Sequence, residues 1–149
     1  MRFVPWLLVA TLGACASSSE GVTPFAKAQA VVEGVAARHA DLVRLTLHGV
    51  PSGRTECTLL ASTEPGRAGE ASDPEDLQAL ETDTPVVLEE EDALDVSVPI
   101  LRESGAPIAV VGVTLRSTAD SDRAVLVGRA KGIAEEVASA VRAAGMPPW

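Results

Sequence analysis

The stretch Leu94–Arg116 constrains the fold more than any other part of the chain. It reads Leu-Asp-Val-Ser-Val-Pro-Ile-Leu, then Arg-Glu-Ser-Gly-Ala-Pro, then Ile-Ala-Val-Val-Gly-Val-Thr-Leu-Arg. In the first run Leu94, Val96, Val98 and Ile100 alternate with Asp95 and Ser97, the period of two that marks a strand with one buried face. The second run is richer in β-branched residues and almost continuously apolar, as a strand deeper in a sheet requires. Ser104, Gly105 and Pro107 between them are turn formers. The stretch is therefore expected to be an antiparallel hairpin at the centre of a sheet.

The remaining elements arrange themselves around that hairpin. Thr23-Pro24 is a helix start, with Thr as N-cap and Pro at the first helical position. Ala28, Val31, Val32 and Val35 follow at helical spacing, so a helix is expected from Pro24 to about His39, with Gly34 read as a point of close packing. Leu42–His48 reads as a strand with Val43, Leu45 and Leu47 on one face and Arg44, Thr46 and His48 on the other. After the turn Gly49–Gly53, a second strand is expected over Glu56–Ser62, with Cys57, Leu59 and Ala61 on one face and Thr58, Leu60 and Ser62 on the other. Ser72-Asp73-Pro74-Glu75 opens a short helix ending near Thr82, either by a Ser72/Glu75 capping box or by Asp73-Pro74 alone. Pro85–Glu89 reads as a short edge strand. A last helix is expected after Ser117–Asp122, capped by Asp120 or Ser121, with Leu126, Ala130, Ile133, Val137, Val141 and Ala144 as its buried stripe and Gly145 as its stop. Five antiparallel strands with helices at both ends of the chain imply an α+β domain, the N- and C-terminal helices packed on one face of the sheet.

Composition removes several function classes. The formal charge is -9, which opposes affinity for nucleic acid or for an anionic lipid surface. No Gly-rich loop leads from a strand into a helix, so phosphate binding by that route has no support. Glu89–Asp92 is an acidic run whose spacing fits no calcium loop, and a solvated turn is the better account. His39, His48 and Cys57 at irregular spacing do not make a zinc site. No metal and no cofactor is expected.

The first residues read as an address. Met1-Arg2 is a short basic start, and Phe3–Leu12 is an apolar run of signal-peptide length, too short to span as a mature helix. Leu12-Gly13-Ala14-Cys15 follows and resembles the bacterial lipobox. The resemblance implies cleavage before Cys15 and acylation of its thiol and new N-terminus, which anchors a protein firmly. Residues 1–14 are thus expected to be a lipoprotein signal peptide, 15–23 a flexible tether, 24–145 the domain and 146–149 a tail. The alternative is an ordinary secretory signal with a chance Cys. Ala16 after the Cys resembles the outer-membrane sorting pattern of enteric bacteria, so the expected location is the bacterial cell envelope, periplasm-facing, with the outer membrane favoured. No other run is long and apolar enough to span a bilayer.

Three segments of the domain resemble the single Cache domains, extracytoplasmic PAS-like sensor modules. Leu59-Leu60-Ala61-Ser62-Thr63 with Pro65-Gly66-Arg67-Ala68-Gly69 is similar to the family's strand ending in Ala-Ser and its loop. Ser72-Asp73-Pro74-Glu75-Asp76-Leu77 is similar to the short helix beneath that loop. Asp95–Ile100 with Gly112–Leu115 is similar to the closing hairpin. The likeness spans about Pro24 to Ala143 and implies a PAS-like sheet with a small-ligand pocket between sheet and covering loops. Family ligands include organic acids, amino acids, amines and purines. The domain holds no Tyr and no Trp, which argues against an aromatic cage for amines.

The candidate ligand-binding residues are Arg44, His48, Ser62, Asp95 and Ser97, polar positions on strand faces. An Arg with a His and hydroxyls suits a small carboxylate, which Arg binds in bidentate fashion. The same positions would equally form the wet face of a sheet covered on its other side. Cys57 is expected to be a buried small hydrophobe; a Cys57–His48 dyad lacks a motif for an orienting third group. His39 is read as a partner of a helix C-terminus. The expected function is a non-catalytic, lipid-anchored module binding a small polar or anionic ligand, with the membrane as its second partner. The alternative is a protein–protein interaction or dimerisation module of the envelope, with a second copy or an envelope protein as partner.

Overall fold

The computed structural model describes residues 24–102 and 104–146. The expected signal peptide, the tether with Cys15 and the last residues of the tail lie outside the described residues. The elements run α1 Pro24–Ala36, β1 Leu42–Gly49, β2 Thr58–Ser62, α2 Pro74–Thr82, β3 Val86–Glu89, β4 Ala93–Leu101, β5 Pro107–Arg116 and α3 Arg123–Ala143. The five strands form one antiparallel sheet in the order β2-β1-β5-β4-β3. The β4–β5 hairpin lies at its heart, with Val96 opposite Val113, and β3 is an edge.

One face of the sheet carries the core. Leu45 and Leu47 of β1, Leu94 and Val96 of β4, and Val111, Val113 and Leu115 of β5 join Val32 and Val35 of α1 and Ile133 and Val137 of α3 in one cluster. Burial of such side chains contributes roughly 2 kcal/mol each. Strand alternation assigns this face, and the 3.6-residue period of α1 and α3 matches it. The terminal helices thus share one face, as expected, while α2 alone lies on the other.

Several local expectations are corrected. Helix α1 stops at Ala36 because Arg38 N and His39 N bond back three residues, to Val35 and Ala36 carbonyls, which tightens the last turn. Gly34 is exposed with nothing near the position a Cβ would take, so it marks no close packing. In β2 the register against β1 slips after Leu47, leaving Leu60 as an extra residue. That bulge puts Leu60 and Ala61 together in the core cluster, so the simple alternation fails there. Helix α3 is capped by Asp122, whose carboxylate accepts from Ala124 N and Val125 N, and not by Asp120 or Ser121. Ser121 instead accepts from Thr118 N. Helix α2 has Asp73 at its N-cap without a side-chain cap bond, and Ser72 forms no capping box.

His39 sits in the turn after α1 with Nε2 3.2 Å from Glu136 Oε1 of α3, beside the Arg38–Glu136 pair at 2.8 Å. The Arg38–Glu136 hydrogen bonds link the end of α1 to α3. Among the described residues no helix is long and apolar enough to cross a membrane.

Candidate functional site

The second face of the sheet is polar and covered. Arg44, Thr46 and His48 of β1, Gly112 and Thr114 of β5, and Asp95 and Ser97 of β4 alternate with the core positions. Helix α2 lies over them and buries only Asp76 and Ala79. Asp76 is the contact that organises this face. Its Oδ1 accepts the Ser97 hydroxyl at 2.7 Å, and its Oδ2 stands 3.3 Å from His48 Nε2. The imidazole is hydrogen-bonded at both ends, with Nε2 3.0 Å from Thr46 Oγ1 and Nδ1 3.0 Å from Ser72 Oγ. Ser72 in turn donates to Cys57 Sγ at 3.3 Å, and Thr46 donates to the Gly112 carbonyl.

Gly112 is required by this arrangement. A Cβ there would stand 2.3 Å from Thr46 Oγ1 and 3.8 Å from Asp76 Oδ1. The lone glycine in an apolar strand is where the polar layer comes closest to the backbone.

Burial acts on both ionisable partners in the neutral direction. It lowers His48 to about 4, against the attraction of Asp73. It raises Asp76 to about 6 despite the Ser97 hydrogen bond, with Asp95 and Asp73 adding repulsion. The two stand at ion-pair distance, yet burial is the largest cause of both shifts, so the imidazole is neutral beside a carboxyl raised to about 6. Burial also pushes the Cys57 thiol up, which makes it a poor nucleophile.

The five residues expected to bind ligand fall into three hydrogen-bonded groups. His48 and Ser97 meet through Asp76. Arg44 reaches Asp95 Oδ2 at 3.5 Å, and Asp95 Oδ1 accepts Thr114 at 2.7 Å, a neighbouring but separate group. Ser62 stands apart: its hydroxyl accepts from Glu64 N, and its backbone pairs with the Gln29 side chain of α1. None of the five lines any of three grooves on the described surface.

One of those grooves reaches the network. It has a volume of about 400 Å³ and is lined by Val50, Thr55, Glu56, Cys57, Ala71, Ser72, Leu77 and Leu80. It lies between the segment after β1 and the outer side of α2, and Ser72 belongs to both groove and network. The 69–72 segment is fixed against β2 by Leu59 N to the Glu70 carbonyl, Gly69 N to the Leu59 carbonyl and Ser72 N to the Cys57 carbonyl. The other two grooves, of about 310 and 340 Å³, flank α3 and include no network residue.

Sequence reasoning misses both Asp76 and Ser72: Ser72 reads as helix-start chemistry, and Asp76 carries no reading of its own within the short-helix segment. A signal exists: Asp76 and Ala79 are three apart, the spacing of one helix face, on a helix otherwise rich in polar residues.

No family model matches the chain, and no curated protein matches it. Solved structures do. It is similar to the GAF domain of an Acinetobacter phosphoenolpyruvate-protein phosphotransferase, at 16% identity and TM-score 0.50 over 83% of this chain and 87% of that one. It is similar to residues 122 to 287 of a methyl-accepting chemotaxis protein, at 14% and 0.52 over 78% and 86%. It is similar to the GAF domain region of a Geobacter sulfurreducens PCA membrane protein, at 13% and 0.52 over 73% and 87%. At such identities the likeness speaks for architecture. Five antiparallel strands with paired terminal helices on one face, together with these neighbours, give this chain a PAS-like α+β fold.

Proposed function

We propose that the chain is a non-catalytic, sensor-like binding module, anchored to the bacterial envelope through Cys15, whose small ligand enters the groove beside α2. The observation that carries this reading is the groove itself, about 400 Å³ in volume and floored by Ser72, the outer end of a buried hydrogen-bonded network. A concave, mostly apolar site with a few convergent polar groups is the form small-molecule sites take. The PAS/GAF-like architecture, shared with a chemotaxis-receptor fragment, and the Cache resemblance of the loop and hairpin segments support a sensing role. The depressed His48 and raised Cys57 support a non-catalytic one.

The ligand class follows from the lining. Among the described residues Glu56 borders the groove and no Arg or Lys does, while Arg44 is engaged by Asp95. A neutral, mainly apolar molecule with one hydrogen-bonding group fits better than a carboxylate. Arg44, His48, Asp95 and Ser97 then act behind Ser72, not on the ligand.

The test is a thermal-shift and amide-NMR screen of small ketones, alcohols and carboxylates on the chain beginning at Ala16. Saturable hits among the neutral compounds, abolished by Ala71→Trp, support the reading. No hit at millimolar concentration refutes it. The anchor is tested separately by incorporation of labelled palmitate in a bacterial host; loss of label in Cys15→Ser is the expected result, and an unlabelled wild-type chain overturns it.

A further inference from the structure

We infer that Asp76, His48 and Ser72 form a tautomer switch, in which the charge on Asp76 decides which imidazole nitrogen carries the proton and hence whether Ser72 offers the groove a proton or a lone pair. The geometry gives the imidazole one partner set on each side. Asp76 Oδ2 and Thr46 Oγ1 face Nε2 at 3.3 and 3.0 Å. Among the described residues Ser72 Oγ alone is hydrogen-bonded to Nδ1, at 3.0 Å. A neutral imidazole has one N–H and one lone pair, so whatever fixes Nε2 fixes Nδ1.

With Asp76 ionised, the Nε2–H dipole faces the carboxylate and Thr46 donates onward to the Gly112 carbonyl. Nδ1 is then the acceptor, the Ser72 hydroxyl donates inward to it, and the Ser72 lone pairs are left for the groove. With Asp76 protonated, the Nε2 lone pair accepts from the hydroxyls around it and Nδ1–H donates to Ser72. The Ser72 proton then turns outward to Cys57 Sγ at 3.3 Å, a weak acceptor that a carbonyl oxygen would displace. Between the two states one proton leaves Asp76 for solvent, while the imidazole exchanges Nδ1–H for Nε2–H and keeps its charge.

The surroundings leave Asp76 as the group that changes. On its own helix end it faces Asp73, from β4 it faces Asp95 and from β1 it faces His48; the ionisable residues of β5 and β3, Arg116 and Glu89, are exposed at the strand ends, with Glu89 paired to Arg123. His48 feels Arg44 from β1 and Arg67 from the loop. Arg44 is held by Asp95 and Arg67 by Glu64 and Glu70. Cys57 keeps its proton because burial raises it.

The consequence for a ligand rests on the binding reading above: the groove would favour hydrogen-bond acceptors in the acidic state and donors in the other. The switch itself is tested without any ligand. Imidazole ¹⁵N and ¹H correlations of the labelled full-length chain would be followed from pH 5 to pH 8, with His39→Gln separating the two histidines. His48 is expected to stay mainly neutral, to carry its proton on Nδ1 at the acidic end, and to carry it on Nε2 after a one-proton transition centred near 6. Asp76→Asn, whose amide donates to Nε2 at every pH, is expected to hold the Nδ1–H form throughout. One tautomer across the range, a predominantly charged imidazole within it, or a surviving transition in Asp76→Asn overturns the inference. A chain that switches yet binds nothing in the screen would sink the ligand reading alone.

Discussion

Removing either partner of the Asp76–His48 pair should expose a pH dependence of stability that the intact pair hides. In the folded protein Asp76 holds a proton up to about 6 and His48 releases its second proton near 4. In the unfolded chain the ordinary values of 3.8 and 6.5 apply. Between about pH 4 and pH 6 each state therefore holds one proton on the pair, on the carboxyl when folded and on the imidazole when unfolded. The slope of stability with pH follows the difference in bound protons, and here that difference is near zero. Asp76→Asn leaves only the depressed histidine. The unfolded state then binds the extra proton, so stability rises with pH across this window, by about 3 kcal/mol, since each tenfold change in proton affinity is worth about 1.4 kcal/mol. His48→Gln leaves only the raised carboxyl. The folded state then binds the extra proton, so stability falls with rising pH across the same window, by about 3 kcal/mol. Urea unfolding followed by circular dichroism at pH 4.5, 5.5, 6.5 and 7.5 would give the curves. Each variant is read as its difference from wild type, which cancels the other carboxylates. Differences that are flat, or that slope the same way for both variants, would refute the reasoning.

Gly112→Ala should destabilise by about 2 kcal/mol through overpacking, since its Cβ would overlap Thr46 Oγ1; the cost should shrink by more than about 1 kcal/mol in a Thr46→Ala background, as a double-mutant cycle would show. Asp122→Ala removes the acceptor of Ala124 N and Val125 N and should lower stability by about 1 kcal/mol, without altering the tautomer of His48. Gly128 and Gly132 lie on the exposed side of α3 with open space at the Cβ position, so Gly128→Ala and Gly132→Ala should each raise stability by about 0.5–1 kcal/mol. Thermal or urea unfolding at fixed pH checks all three, and a loss of stability in either alanine variant would mean that α3 is covered there in solution.

The sheet is legible in the sequence because its signals are local and strong. Leu94–Ile100 alternates and Ile108–Leu115 runs apolar, and the two strands pair with Val96 opposite Val113. The same alternation places Arg44, His48, Asp95 and Ser97 on one face. It cannot show what covers that face, because coverage is a tertiary matter. Helix α2 is visible through its start signals, Ser72, Asp73 and Pro74, and those signals compete with the role that Ser72 actually takes. A residue that can cap a helix can also bond a histidine 24 positions away, and nothing local decides between them. The Leu60 bulge is equally hidden, since an inserted residue in an apolar run changes no hydrophobicity, only register.

A filled polar face changes where a ligand can act. Buried ionisable pairs are often less stabilising than apolar side chains of the same shape, so the Asp76 network is not the most stable way to seat α2. Its effect is to make that seating conditional. Helix α2 has nine residues, with only Asp76 and Ala79 fully buried, and it is entered through Gly66 and Gly69 and left through Asp83, all at positive φ. Few apolar contacts hold it, so its attachment rests in large part on the hydrogen bond that Asp76 accepts from Ser97 and on its approach to His48, and local stability is lowest where such contacts are few. Leu77 and Leu80 of this same helix line the groove that Ser72 floors. A molecule in that groove would therefore touch α2 from outside while altering, through Ser72 and His48, the hydrogen bonds that hold it from beneath. Both effects bear on one short helix, and differential contact with its seated and loosened positions is what any ligand-driven shift requires.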